Sequence, residues 1–270
     1  MDLDELRRRK KELGYTNEDL AEISGVPLGT VQRIMSGETK NPRRDTWEAL
    51  ERALCPEQAK WRYAGRVKDQ AFDYSGAGSA GGEKKQGGYT IDDYYALPDD
   101  AKAELIDGMI YDLSAPMTYH QFILGEIKEQ IGQCVRKSGK KCMVFESVAV
   151  QLDRDDKTMM IPDVCLVCDT EKINERCIYG APDFVCEVLS SSTRKRDMSI
   201  KLNKYLEAGV SVYWIVDVKK KIIIAYDFRD EEFAPVIQGF GEQHVIGLPE
   251  GECRIELGYA IGVLETVYGI

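Results

Sequence analysis

The first 54 residues carry apolar positions at helical spacing, interrupted by glycines at turn positions. Leu3, Leu6 and Leu13 share one face of a first helix, which Gly14 ends. Thr16, followed by acidic residues, is typical of a helix N-cap with negative charge in the first turn. Further apolar positions at helical spacing, again separated by glycines, predict three more short helices: one after Thr16 that Gly25 ends, one from Pro27 to Gly37, and one over residues 44–54.

Residues 89–270 combine strand and helix patterns. Apolar runs flank Asp107-Gly108, a pair that favours a hairpin turn. Apolar residues at helical spacing over 119–135 predict a long helix, and 194–208 predicts a polar helix ended by Gly209. Short apolar or alternating runs predict strands over 143–152, 162–168, 184–189, 212–218 and 221–228. The pattern predicts an α/β (α+β) fold with a mixed sheet and flanking helices, plus the small all-α domain.

A glycine-rich stretch separates these two parts. Residues 73–88 contain six glycines and no apolar period, which is typical of a flexible coil. An active-site loop is the alternative, but no strand–turn–helix signature surrounds the stretch. We predict one domain over residues 1–56, a connecting segment over 57–88 and a second domain over 89–270. We expect the two domains to behave as separate bodies.

Composition and charge narrow the class of protein. The 270 residues carry a net charge of −10. This charge excludes a surface that is positively charged throughout and binds nucleic acid everywhere, but it does not exclude a local basic patch. No apolar run is long enough for a transmembrane helix, and the first residues lack the apolar core of a secretory signal. The eight cysteines follow no small-scaffold pattern and predict reduced thiols. We therefore expect a cytoplasmic protein without a membrane partner.

Two short helices joined by a tight glycine turn predict a helix-turn-helix in the first domain. Glutamine and arginine on its second helix can read base edges through paired hydrogen bonds, and basic residues just beyond are placed for phosphate contacts. The alternative is a small helical bundle with a solvated polar face. The stretch LDELRRRKKELGYTNEDLAEISGVPLGTVQRIMSGETKNP resembles the Xre family, the Cro/cI-type repressor helix-turn-helix. The predicted DNA-binding residues are Thr30, Gln32, Arg33, Lys40, Arg43 and Arg44.

Ionisable residues interrupt the apolar runs of the second domain. Asp163 starts one predicted strand and Glu187 lies inside another, where a carboxylate is costly unless it is paired or binds a metal. A strand–turn–helix unit brings Lys201 back toward Glu187, and Glu104 can supply a third carboxylate. Two carboxylates and a lysine can hold magnesium, orient a water molecule and stabilise a pentavalent phosphate. A structural ion-pair cluster is the alternative.

Three segments carry a further resemblance: ELIDGMIYDLSAP, IPDVCLVCD and PDFVCEVLSSSTRKRDMSIKLNKYLEAGVSVYWIVD. They are similar to the Uma-two (DUF820) family of restriction-endonuclease-like proteins. The resemblance implies a PD-(D/E)xK nuclease core in which Asp163 and Glu187 are the two acids and Glu104 is the glutamate of the first motif. The position of the usual lysine is Leu189, and the resemblance implies that Lys201 on the helix replaces it.

Two weaker motifs remain open. His120, at the start of the long helix, is either an ordinary helix histidine or a contact to the site. Cys165 and Cys168 have the spacing of half a zinc site, but residues three apart in a strand face opposite sides.

The sequence thus favours an endonuclease that a helix-turn-helix directs to DNA and that hydrolyses phosphodiesters with magnesium or manganese. Its predicted catalytic residues are Glu104, Asp163, Glu187 and Lys201, of which the three acids hold the metal. We expect DNA and a second copy of the chain, in a homodimer, as partners. Two alternatives remain: a transcriptional regulator whose nuclease-like domain serves sensing or dimerisation, and a partner-binding module in a defence system.

Overall fold

The structure is a computed structural model that describes residues 2–13, 15–39, 42–54, 85–98, 101–139, 141–152, 156–190, 192–230, 234–248 and 251–270. Gly14, Lys40 and most of the predicted connecting segment lie outside the described residues. Among the described residues, no helix has the length and apolar composition that a membrane crossing requires.

The N-terminal domain forms the four predicted helices. Its helices are α1 (Leu3–Glu12), α2 (Asn17–Ser24), α3 (Leu28–Ser36) and α4 (Arg44–Leu54). A capping box starts α2, in which Thr16 and Asp19 exchange side-chain and backbone hydrogen bonds. Gly25 and Gly37 end α2 and α3 in the left-handed conformation that glycine adopts without strain.

A six-stranded mixed sheet forms the centre of the second domain within the described residues. Its strands are β3 (Met143–Glu146), β5 (Val164–Val167), β7 (Phe184–Val188), β8 (Val212–Asp217), β9 (Ile222–Asp227) and β10 (Val236–Gly239). They lie in the order β10-β9-β8-β7-β5-β3, and all neighbours are antiparallel except the parallel pair β7–β8.

Shorter pairs and helices surround this sheet. The Asp107-Gly108 turn joins a hairpin as predicted, with both residues at positive φ. A Cβ on Gly108 would lie 2.6 Å from the carbonyl oxygen of Gly87, so this position requires glycine. The remaining strands and α-helices of the described residues are β1 (Ala103–Ile106), β2 (Met109–Asp112), β4 (Val150–Gln151), β6 (Ile178–Tyr179), β11 (Gln243–Leu248), β12 (Gly251–Glu256), α5 (Ile91–Tyr95), α6 (Thr118–Ser138), α7 (Leu202–Ala208) and α8 (Gly258–Val263).

Each face of the sheet packs into its own apolar core, because successive strand residues point to opposite sides. Along β5, Val164 and Leu166 join the core under α6, whereas Cys165 and Val167 join the core on the opposite face. This second core continues into the buried residues of α1 to α4. The helix-turn-helix therefore packs against the second domain, in contrast to the separate bodies that the sequence predicts.

Two predicted segments differ in the structure. The strand predicted over 143–152 is broken at Ser147, whose φ of 50° turns the chain away so that β4 pairs with β6 instead. Residues 85–88, predicted as part of the flexible connection, hydrogen-bond to the β1–β2 hairpin: Gly87 N–H donates to the carbonyl of Gly108, and Gln86 Oε1 accepts from Ile110 N–H.

The prediction of reduced thiols is wrong for four cysteines. Packing of α6 against β12 brings Cys134 and Cys253 together, with 5.7 Å between their Cα atoms, and they form a disulfide. Cys142 and Cys168 extend the antiparallel pair β3–β5 and form a second disulfide. Cys165 stays a buried thiol on the other side of the strand, so it shares no site with Cys168.

Candidate active site

Two neighbouring strands place the predicted acids side by side. The register of β5 and β7 pairs Val164 with Cys186, so Asp163 lies opposite Glu187 at the end of the strand pair. The backbone N–H of Val188 donates to Asp163 Oδ2 at 2.7 Å, which fixes the carboxylate at this end of the sheet. Glu187 is 3% exposed, whereas the Asp163 side chain is 22% exposed and reaches solvent.

The β1–β2 hairpin adds the third predicted acid. Glu104, in β1, is fully buried, and its Oε1 accepts a hydrogen bond from the backbone N–H of Ile161 at 2.9 Å. The guanidinium of Arg196 approaches its Oε2 at 3.3 Å and stacks over the ring of Tyr111 at 4.5 Å from the centroid. Arg196 is a residue that sequence reasoning missed, because its charged stretch is typical of a solvated helix surface.

Lys201 joins the two buried glutamates. Its Nζ lies 2.8 Å from Glu104 Oε1 and 2.9 Å from Glu187 Oε1. Residues Arg196–Lys201 form a π-helical segment before α7, and this segment also places Asp197 Oδ1 3.7 Å from the ammonium. Burial alone lowers the pKa of Lys201, but the three carboxylates outweigh burial and raise it, so the ammonium stays charged.

Lys204 lies one turn after Lys201 on the same helical segment, and it contacts a different acid. Lys204 Nζ bonds Asp107 in the exposed hairpin turn at 2.7 Å, and it faces this turn rather than the buried carboxylates.

The carboxylates repel one another inside the site. Burial raises the pKa of Glu187 well above its usual value; Lys201 opposes the shift, whereas the other three acids add to it. Burial also raises the pKa of Asp197 to about 6, and its Oδ1 is buried with no hydrogen-bond partner among the described residues. Glu104, Glu187 and Asp197 thus converge on Lys201, Glu104 also contacts Arg196, and Asp163 lies beside Glu187.

His120 contacts the site rather than only the core of α6. Its Nε2 lies 3.2 Å from Asp163 Oδ2, and its ring is nearly buried. Burial lowers its pKa, but the hydrogen bond and charge of Asp163 outweigh burial and raise it. The hydroxyl of Tyr205, one turn beyond Lys201, donates to Glu187 Oε1 at 2.7 Å. Both residues hold the acids in place from neighbouring elements.

A metal ion in this site would draw on few protein ligands. Within the described ranges, no group of three or more His, Cys, Asp or Glu side chains has the arrangement of a complete metal site. Magnesium commonly takes one or two carboxylates and fills its remaining positions with water or phosphate oxygens. The crowded carboxylates, and the Asp197 Oδ1 that has no hydrogen-bond partner among the described residues, are compatible with such a cation.

The predicted DNA-binding residues that the structure describes are exposed or partly exposed, and Lys40 lies outside the described residues. Gln32 and Arg33 are exposed on α3 and Thr30 is partly exposed, whereas Val31, Ile34 and Met35 of the same helix are buried. Arg43 and Arg44 are also exposed at the start of α4. Docking onto the second domain uses other surfaces, so this face remains accessible.

The mixed sheet, with acids at the end of adjacent strands and a helical domain at the N-terminus, defines a restriction-endonuclease-like fold joined to a helix-turn-helix. A family model for Uma2, described as "Putative restriction endonuclease", matches residues 91–251, and one described as "Helix-turn-helix" matches residues 6–54. The first model spans more than half of the chain, and the chain belongs to the Uma2 family.

A solved structure supports the fold. The chain is similar to "a putative nuclease belonging to DUF820" from Anabaena variabilis, with 19% identity, a TM-score of 0.50, and coverage of 59% of this chain and 89% of that chain. No curated protein matches the chain.

Proposed function

We propose that this chain is a DNA-directed endonuclease that hydrolyses phosphodiester bonds with a divalent metal ion. The observation that carries the proposal is the crowding of carboxylates: Glu104, Glu187 and Asp197 surround Lys201, and Asp163 lies opposite Glu187 on the neighbouring strand, with Arg196 as the second cation. A purely structural ion-pair cluster gains most when its charges balance, whereas a site that binds a cation carries surplus carboxylates. Uma2 membership and the DUF820 neighbour agree with this activity.

Asp163 and Glu187 are the proposed ligands of magnesium or manganese, with Glu104 completing the carboxylate set. A bound divalent ion supplies Lewis-acid stabilisation of phosphate charge and a more acidic bound water. Asp163 is the acid with access to solvent, and it is the carboxylate that a phosphate backbone would approach first. His120 and the N–H of Val188 orient its Oδ2.

Lys201 supplies positive charge beside these acids. Glu104 and Glu187 hold its ammonium at 2.8 and 2.9 Å, so little reorganisation is needed when negative charge develops on a phosphate. The PD-(D/E)xK pattern places this lysine two residues after the second acid, and Lys201 would perform the same role from the helix. Its loss should cost at least about tenfold in rate, which equals about 1.4 kcal/mol of transition-state stabilisation.

The helix-turn-helix would direct this activity. Thr30, Gln32 and Arg33 are proposed to contact bases, and Arg43 and Arg44, with Lys40, to contact phosphates. Because one site hydrolyses one strand, we further propose that a homodimer cuts both strands of a duplex, in the cytoplasm, where the chain meets DNA.

Cleavage assays on the full chain test the proposal. Duplex DNA, single-stranded DNA, RNA and branched DNA are incubated with magnesium or manganese, with a chelator as the control. We expect metal-dependent cleavage that Asp163→Asn abolishes and that Lys204→Ala leaves nearly unchanged, because Lys204 faces Asp107. Absence of cleavage on every substrate, together with no metal binding by calorimetry, would falsify the proposal.

One observation favours a second candidate, a transcriptional regulator with a non-cleaving nuclease-like domain. Lys201 bonds both buried glutamates directly, as it would in a site with a structural role alone. Sequence-specific DNA binding without cleavage or metal binding would support this regulator.

A further inference from the structure

The helix-turn-helix contacts the second domain through a nearly buried carboxylate. Asp19, in the first turn of α2, is 5% exposed and lies 175 residues before its partner Arg194. The Arg194 guanidinium donates to Asp19 Oδ1 at 2.6 and 2.9 Å, and Lys220 Nζ approaches Oδ2 at 2.8 Å. Arg194 also bonds Asp217 at the end of β8 at 2.9 Å. The contact therefore ties α2 to both the sheet and the segment that precedes Arg196.

In this docked position, the groups around Asp19 keep its carboxylate negatively charged. Burial raises its pKa, but hydrogen bonds from Lys220 and Thr16 and the charge of Arg194 outweigh burial and lower it strongly. Asp19 is thus ionised at neutral pH although it is nearly buried. A buried carboxylate held by two cations of the other domain specifies one docked arrangement rather than a loose association.

A second contact reaches the π-helical segment itself. The hydroxyl of Tyr15, in the turn before α2, donates to the backbone carbonyl of Met198 at 3.2 Å. The hydroxyl of Tyr213, in β8, donates to the neighbouring carbonyl of Asp197 at 3.0 Å. Two tyrosines therefore hold consecutive carbonyls of the segment that carries Lys201, and the helix-turn-helix provides one of them.

We propose that Tyr15 and Asp19 are positioning residues of the nuclease site, through which the docked helix-turn-helix holds the π-helical segment and Lys201 in place. This inference rests on the proposed function. Because Gln32 and Arg33 stay exposed in the docked state, the same arrangement binds DNA and supports the site. DNA recognition and cleavage then belong to one rigid unit, and the cut lies at a fixed offset from the recognised sequence.

Substitutions at the contact separate this role from DNA binding. In the full chain, Tyr15→Phe removes only the hydroxyl, and Lys220→Gln removes one cation from Asp19. Lys221→Gln is the matched control, because Lys221 pairs with exposed Glu265 instead. We expect Tyr15→Phe and Lys220→Gln to lower kcat by about threefold to tenfold with KM for DNA unchanged, as for the loss of one hydrogen bond. The control should keep wild-type kcat.

Hydrogen exchange gives a readout that is independent of activity. Tyr15→Phe should accelerate amide exchange over Arg196–Leu202 relative to wild type, whereas Lys221→Gln should not. Unchanged exchange, unchanged kcat, or a change in KM alone would overturn the inference. If the wild type cleaves no substrate but exchange accelerates, the positioning contact stands and the proposed nuclease function fails.

Discussion

Replacing Lys201 with methionine removes the ammonium from the carboxylate cluster and keeps much of the side-chain volume. The ammonium lies within 2.9 Å of Glu104 and Glu187, and all three side chains are at most 3% exposed. Loss of one partner from a buried ion pair costs about 3–5 kcal/mol, because an uncompensated charge remains. At about 2–4 °C per kcal/mol for a chain of this size, Tm should fall by about 6–20 °C.

The size of this loss should depend on pH. Burial raises the folded-state pKa of Glu187 above its unfolded-state pKa. The stability that comes from protonation of Glu187 is therefore fully present below the unfolded-state pKa, and it is lost as the pH rises through the folded-state pKa. Without the ammonium of Lys201, the folded pKa rises further and more stability is lost at neutral pH. The difference between wild type and Lys201→Met should therefore shrink on acidification toward the usual glutamate pKa.

Thermal unfolding followed by circular dichroism measures this effect at about pH 5 and about pH 7.5. Lys204→Met is the matched control, since its ammonium pairs with exposed Asp107 and its loss should change Tm little. A Tm for Lys201→Met within about 2 °C of wild type at the higher pH, or an equal loss at both, would refute the reasoning about the cluster.

Three further predictions concern other parts of the molecule. Arg33→Ala should relax sequence preference by about 1–3 kcal/mol in competition binding, whereas Arg43→Ala should weaken binding to all sequences and flatten its salt dependence; identical profiles would contradict these roles. Gly125→Ala, exposed within α6, should raise the free energy of unfolding by about 0.5–1 kcal/mol, and Gly108→Ala should lower it, as denaturant titration would show. Alkylation of the denatured, unreduced chain should leave the cysteines of both disulfides unlabelled, and full labelling would contradict that pairing.

The sequence predicted those features that depend on local chemistry. The helices of the first domain follow from Thr16, Gly25 and Gly37, because capping and left-handed turns involve only neighbouring residues. The candidate acids were found because Asp163 and Glu187 interrupt apolar strands, where a charge has few structural uses. Their roles in catalysis remain predictions.

Other features depend on distant parts of the chain and left no local signal. The strand breaks at Ser147, after which β4 pairs with β6, whereas the sequence pattern around Ser147 is that of one continuous strand. Arg196 resembles a surface arginine until the hairpin with Glu104 covers it. Asp19 has the pattern of a capping residue, and its contact with Arg194 exists only after the two domains pack.

The 175 residues between Asp19 and Arg194 also have a consequence for synthesis of the chain. At about 5–20 residues per second, Arg194 is made about 9–35 s after Asp19. During that interval Asp19 is hydrated rather than buried, and the helix-turn-helix folds with only its own core. Under the proposed function, the nascent helix-turn-helix can contact DNA before the second domain exists, and the docked arrangement that supports the site forms only after Arg194 has been made.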